Sequence, residues 1–328
     1  MRAVYIAEFG SIDNLEVREI PDLAGPVDTQ VLIRVRAAGL NRADLLQAGG
    51  AYPPPPGYSP NIPGLEFAGE IENVGDAVSA WKSGDRVFGI TAGEAQAEYL
   101  LSDASLLTRI PENLSFADAA AVPEAFITAH DAIFTRGTLK EDEILLIHAV
   151  GSGVGLAALQ LAKAKGATVI GTSRTAAKLE RCSEFGLDHG IVTPEGVDFD
   201  HQVNEITGGK GVNVILDLVG AAYFRQNLMS LGKKGRLILV GLTSGRTAEI
   251  DLGMALQKRL TIIGTVLRSR PAHEKAEATT KFTDEVVPSL ALGKIRPNLD
   301  RTFAVEDVIS AYRYLGSNES FGKVVLEF

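Results

Sequence analysis

EILLIHAVGSGVG, residues 143–155, decides how the rest of this chain is read, because it runs from an apolar strand into a glycine-rich turn. The run 144–147 is β-prone, glycines follow at 151, 153 and 155, and LAALQLAKAKG continues as a helix. Glycine lets the backbone turn sharply there and lets main-chain N–H groups approach a pyrophosphate at the helix N-terminus. The spelling departs from the usual dinucleotide fingerprint. Anchored on Gly155, a G-x-G-x-x-G pattern requires glycine where Val150 and Ser152 stand. By itself the turn is equally compatible with a plain tight βα connection.

The next strand narrows the choice. ATVIGTSR, residues 167–174, follows at the βαβ spacing of a dinucleotide fold. An NAD-binding unit places Asp or Glu near the end of this strand, to accept hydrogen bonds from the adenine ribose hydroxyls. Between Gly155 and Leu179 there is no carboxylate, and Ser173, Arg174 and Lys178 stand in its place. A 2′-phosphate carries close to two negative charges, and each charge-assisted bond to it contributes roughly 1.5–3 kcal/mol. Two cations that merely solvate a surface turn are the alternative. Coupled to the missing carboxylate, the cluster predicts NADPH as cofactor.

Working outward, 328 residues are long for one core and point to two domains. Residues 1–110 read as short β-prone runs (MRAVYIAEF, LEVREI, QVLIRVRAAG, EFAGEIENVG, DRVFGI, AEYLLS) separated by Gly, Asp and Pro turns. The proline block YPPPP at 52–56 is an extended loop, since proline supplies no amide donor. A rigid linker or partner-binding segment would look alike, but its position suggests the rim of a cleft. From about Phe116 the pattern becomes βαβ. Strands are expected at 143–149, 167–173, 189–193, 212–218, 235–241 and 259–266, and helices at 153–165, 176–185, 199–207, 222–231 and 273–292. That alternation predicts a doubly wound parallel six-stranded sheet with ligand at the carboxyl ends of its strands. The tail, RTFAVEDVISAYRYLGS then GKVVLEF, reads as strand, helix and strand returning to the first domain.

Composition removes several classes. A net charge of −9 argues against a broad nucleic-acid-binding face. No run of about 18 apolar residues exists and the first nine residues read directly as strand, so neither a membrane span nor a signal peptide is expected. The single cysteine, Cys182, excludes an intrachain disulfide and a Cys-rich metal site, and reads as a helix-packing residue. A cytoplasmic location follows as the expectation.

The order of AGLNRADLLQAGGAY, PGLEFAGEIENVG, WKSGDRVFG, PEAFITAHDAI, LLIHAVGSGVG and FGKVVLEF, spanning nearly the whole chain, resembles the medium-chain dehydrogenase/reductase superfamily. Within it, NRADLLQ, YPPPPG, HAVGSGVG and VLRSR are most similar to the zinc-free quinone oxidoreductases related to zeta-crystallin, of the tumour-suppressor-inducible type. The resemblance implies a GroES-like β-rich catalytic domain (1–121 and 294–328) beside a Rossmann domain (122–293), with NADPH between them. It also implies a homodimer joined through the last Rossmann strand, the apolar run from Leu260 to Val266 (LTIIGTV), which would be costly as an exposed edge.

Zinc alcohol dehydrogenases share this fold and take Cys or His ligands at the start of the NRAD segment and within a G-H-E triplet. Those places here carry Asn41 to Asp44 and Gly64-Leu65-Glu66, and the five histidines (130, 148, 189, 201, 273) lack ligand spacing. No metal is therefore expected, and the reaction should be one whose product anion is already stable. A quinone fits, because hydride arrival gives an aromatic hydroquinone anion. An α,β-unsaturated carbonyl, giving an enolate, fits nearly as well, and an NADPH-binding sensor with negligible turnover is the non-enzymatic alternative. By resemblance Asn41 and Tyr52 lie near the substrate oxygen, Thr128 near the nicotinamide, and Ser152, Gly153 and Val154 near the pyrophosphate. Val219, Gly241, Leu242, Thr243, Leu267 and Arg268 supply further cofactor contacts, and Lys323 reaches in from the final strand. One departure is Thr193, where this type has a tyrosine near the adenosine phosphate.

Overall fold

A computed structural model of the chain describes residues 1–194 and 198–328. Contacts group the chain into two compact units, Met1–Ile127 with Leu267–Phe328, and Thr128–Val266.

The first unit is mostly antiparallel. Strands β1 (Arg2–Ile6) and β2 (Leu15–Glu19) form a separate pair. The larger sheet takes β3 (Gln30–Leu40), β4 (Glu66–Val74), β5 (Arg86–Ile90), β6 (Tyr99–Asp103) and β7 (Leu107–Arg109). The second unit supplies β8 (Ile144–Ile147), β9 (Thr168–Ser173), β10 (His189–Val192), β11 (Val212–Asp217), β12 (Leu231–Leu239) and β13 (Thr261–Gly264). The chain then returns to the first unit as β14 (Leu299–Ala304) and β15 (Lys323–Glu327).

In the first unit the order is β14-β15-β3-β4-β5-β7, with β6 also on β3, and only the β14–β15 pair is parallel. Alternation along β3 sends Val31, Ile33 and Val35 into one core with Phe67, Ile71, Val87 and Leu100. Beyond Arg36, β3 is buried on both faces, and Leu40 joins Val324, Leu326 and Tyr312 in a second core. That continuous burial carries the strand's end into the interior, where the site begins.

In the second unit six parallel strands run in the order β10-β9-β8-β11-β12-β13, as expected for a doubly wound sheet. The strands are near-continuous apolar runs because helices cover them, and Leu146, Ile170, Ile215 and Leu237 fill a core with Phe199 and Leu228. Several helices differ from expectation, among them Phe116–Ala120 and Pro123–His130, which the sequence pattern did not mark. The helix predicted over 273–292 breaks at Val286 into Ala272–Glu285 and Val287–Ala291, because Pro288 cannot continue the hydrogen-bond ladder. A helix at Leu252–Lys258, capped by Asp251 on the Met254 N–H, was not foreseen, since its leucines face outward instead of marking a buried stripe. Cys182 is fully buried and its thiol is pushed up to about 12 by that burial, so it packs and does not react.

Candidate active site

The first unit concentrates charge where β3 ends. Antiparallel pairing sets Val324 of β15 opposite Leu40, so Lys323 arrives beside Asn41. Pairing of Ala38 with Phe67 brings Glu66 up against Gly39 on the other side. A Cβ at Gly39 would fall on Glu66 Oε1 and within 2.5 Å of the Ala120 carbonyl, so only glycine admits the carboxylate here.

Three donors converge on Glu66, which is fully buried. Lys323 Nζ lies 2.5 Å from Oε1, Asn41 Nδ2 donates to the same oxygen at 2.9 Å, and the Glu124 amide donates to Oε2 at 2.8 Å. Lys323 spends its other protons on the Leu40 carbonyl at 2.7 Å and on Asn41 Oδ1 at 2.8 Å. Asn41 keeps one weak contact, from Nδ2 to the Gly39 carbonyl at 3.4 Å, and that proton is the one a substrate oxygen could take. Asp44, also buried, accepts the Asn41 and Gly64 amides at 2.7 and 3.1 Å, yet burial still pushes its carboxyl up to about 6.

Tyr52 is half-buried on the proline loop, and burial raises its phenol, which keeps it a donor. Arg268 fastens that loop. Its buried guanidinium donates to the carbonyls of Ala92 (2.8 Å) and Tyr52 (2.9 Å) and to Gln47 Oε1 (2.5 Å), and it lies 4.9 Å from the centre of the Tyr52 ring. The neighbouring Leu267 is buried. Two carboxyl and amine groups at this end of the unit escaped the sequence reading. Glu124 is half-buried, and burial together with the Glu66 charge pushes it up to about 8. Lys275, buried on the helix Ala272–Glu285, is pushed down by burial. The only local signal for Glu124 is that it is the sole charge in the apolar run 119–129, and Lys275 offers none.

The second unit builds its candidate site from backbone and neutral groups at the carboxyl ends of the strands. After β8, His148 leads into Ala149, which adopts φ 51°, so the sharp turn falls on an alanine. Gly155 serves close approach instead: a Cβ there would lie 2.6 Å from the carbonyls of Ala149 and Val150. Ser152 caps the helix Gly153–Ala164 by accepting the Gly155 N–H at 3.2 Å, which leaves the amides of Gly153 and Val154 at its open end. Ser173, buried, closes β9, Arg174 is exposed and Lys178 half-exposed on the following helix. Thr193 is buried and accepts the Tyr223 hydroxyl at 2.9 Å.

A buried polar chain ties these strand ends together. His148 Nε2 meets Asn227 Oδ1 at 2.6 Å, and Asn227 Nδ2 donates to Asp217 Oδ2 at 3.0 Å. That second bond fixes the amide's orientation, so His148 Nε2 carries the proton and Nδ1 accepts from Thr172 Oγ1 at 2.9 Å. Burial lowers the imidazole, consistent with a neutral ring. Asp217 Oδ1 accepts the amides of Val219 (2.7 Å) and Gly220 (2.9 Å), shaping the loop after β11. Beside it, Gly241 has no room for a Cβ, which would lie 2.7 Å from the Leu218 carbonyl, while Thr243 donates to that carbonyl at 3.3 Å. Leu242 points outward and is 52% exposed. Thr128 has a buried hydroxyl with no hydrogen-bond partner among the described residues.

Asn41 and Glu66 are consumed by each other and by Lys323, Leu65 is an apolar core residue, and among the described residues no three His, Cys, Asp or Glu side chains form a metal-binding group. The residues present do not fit a catalytic zinc.

Comparison with known proteins agrees with this architecture. Residues 27–130 match the alcohol dehydrogenase GroES-like domain and residues 153–284 the zinc-binding dehydrogenase domain. Human quinone oxidoreductase is 33% identical over 99% of this chain and 97% of its own length. The chain belongs to the medium-chain dehydrogenase/reductase superfamily. As an oxidoreductase of this superfamily it also resembles mouse quinone oxidoreductase-like protein 2, at 31% identity over 95% of the chain and 88% of that protein. The structure of Escherichia coli quinone oxidoreductase complexed with NADPH matches at TM-score 0.90 with 29% identity over the whole of both chains. The CurK enoyl reductase matches at TM-score 0.87 with 26% identity over 99% and 98% of the two chains.

Proposed function

We propose that this medium-chain oxidoreductase transfers hydride from NADPH to quinones without a metal. The observation that carries the reading is the saturated Asn41–Glu66–Lys323 cluster, which occupies with an ammonium the place where this fold can hold a Lewis acid. A substrate that needs strong polarisation of its oxygen, such as an alcohol, gains little there. A quinone needs only an apolar slot and a few donors.

The chain's residues suit NADPH. The unpartnered Thr128 hydroxyl awaits a polar group, the Gly153 and Val154 amides face a phosphate position beside Ser152, and Ser173, Arg174 and Lys178 take the place of the missing ribose-binding carboxylate. Bound NADPH supplies the hydride. By likeness to the family, the cofactor contacts fall to Val219, Gly241, Leu242, Thr243, Leu267, Arg268 and Lys323, and the substrate oxygen to Asn41 and Tyr52. A second reading, reduction of an enone or enal double bond, is favoured by the similarity to the CurK enoyl reductase. Steady-state NADPH oxidation against a panel of quinones, enals and enones separates the two, with the highest kcat/KM expected for quinones.

We further propose a cytoplasmic homodimer. No helix among the described residues is long and apolar enough to cross a membrane. Strand β13 ends its sheet, and Ile262 and Val266 on that edge, with Leu252 and Leu256 nearby in sequence, are 38%, 47%, 70% and 77% exposed. A monomeric mass at micromolar protein would overturn the dimer.

A further inference from the structure

Four features of the first unit meet at Glu124. Its amide is tied to Glu66 Oε2 at 2.8 Å, so its backbone is fixed directly over the Asn41–Glu66–Lys323 cluster. Its carboxyl has no hydrogen-bond or ion-pair partner among the described residues and is half-buried. Lys275 is 6% exposed, is likewise unpartnered among the described residues, and interacts electrostatically with Glu124. Tyr52, the loop aromatic, feels the Glu124 charge as well. An acid and an amine left with open hydrogen-bonding capacity gain from a ligand that supplies the bonds.

Building on the quinone-reductase reading above, we propose that Glu124 is the proton donor of the reaction, with Lys275 positioned to stabilise the carboxylate it leaves. The Glu124 Oε–H bond breaks and an O–H bond forms on the substrate oxygen. The substrate gains two electrons with the hydride from NADPH, which leaves as NADP⁺. Quinone, hydride and one proton make hydroquinone, and solvent returns a proton to Glu124.

The surrounding charges set the donor's working range. Burial and the Glu66 carboxylate hold Glu124 protonated, with Asp44 adding to them, while Lys323 and Lys275 oppose. The result, about 8, keeps the acid loaded at neutral pH. Arg268 and Tyr52 also interact electrostatically with the pair.

Two measurements test the role. Infrared titration of the cofactor-free protein should show a protonated carboxyl band lost with a midpoint near pH 8, absent in Glu124→Gln and shifted to higher pH in Lys275→Met. With NADPH and a quinone, kcat/KM of the native protein should fall above that same midpoint. Glu124→Gln, which mimics the protonated shape, should fold normally, lose about a hundredfold at pH 7 and show a flat profile over this limb. Glu124→Asp should recover part of the rate. A native carboxyl already ionised at pH 6.5, or quinone turnover with the same rate and profile in Glu124→Gln, overturns the assignment. No NADPH oxidation by the native protein with any acceptor would instead overturn the reductase reading, and this role with it.

Discussion

The two halves of this molecule hold their polar groups by opposite means. In the second unit, the strand-end loops are shaped by Thr172, His148, Asn227 and Asp217, a chain with one carboxylate whose oxygens are filled by amides. In the first, Glu66, Lys323, Asp44, Lys275 and Arg268 are buried titratable side chains, and the half-buried Glu124 joins them. A dipolar chain tolerates burial at modest cost, because every donor meets an acceptor. Breaking a buried ion pair such as Lys323–Glu66 leaves an uncompensated charge in the interior. The second unit thus holds a neutral hydrogen-bonded chain at its strand ends, and the first a cluster of titratable side chains.

The largest expected effect breaks the charged half. Lys323→Met leaves the Glu66 carboxylate buried and unpaired, and should destabilise the protein by about 3–5 kcal/mol. Pairing it with Glu66→Gln should recover much of that loss. Denaturant unfolding of the two variants measures the difference, and equal stabilities would show that the pair is not coupled.

Next comes pH. Glu124 and Asp44 are raised in the folded state, so between the ordinary carboxylate range and about pH 8 the folded protein binds more protons than the unfolded chain. Stability therefore falls as pH rises through that window, by on the order of a few kcal/mol in total. Glu124→Gln should flatten the slope above pH 6, whereas an unchanged slope would mean that other groups produce it.

In the neutral half, Asn227→Leu removes the partner of both His148 and Asp217, and should cost about 1–3 kcal/mol. Its signature should be weaker NADPH binding through the Val219–Gly220 loop, with the pH slope of stability retained. Alanine at both Arg174 and Lys178 is the mildest change. It should leave stability alone and narrow the preference for NADPH over NADH about tenfold, or ~1.4 kcal/mol. Equal affinities for the two cofactors in the native protein would remove the basis for this expectation.

The contrast also explains what the sequence disclosed. The second unit's candidate site is contiguous: EILLIHAVGSGVG, the helix after it and ATVIGTSR carry strand, turn, cap and the missing carboxylate within 32 residues, 143–174. Local periodicity therefore exposes the six-stranded sheet and its ligand edge. Even there, the left-handed residue is Ala149 rather than a glycine, because the glycine at 155 answers to packing, which spacing does not reveal. The charged site draws on residues 41, 66, 124, 275 and 323, which only strand register and a distant helix bring together. Asn41 and Lys323 were reachable through family motifs. Glu124 sits in the family motif PEAFITAHDAI without any spacing that marks a role for it, and Lys275 sits in no motif. The helix Leu252–Lys258 stayed hidden for a related reason, its leucines being exposed.

The most direct test of the account is rapid mixing of chelator-dialysed protein with NADPH and a quinone, followed at the cofactor's absorbance. Oxidation well above that of free NADPH with the same quinone, faster with NADPH than with NADH and indifferent to added zinc, is the predicted result. Oxidation no faster than the free reaction, or activity that returns only with zinc, would contradict it.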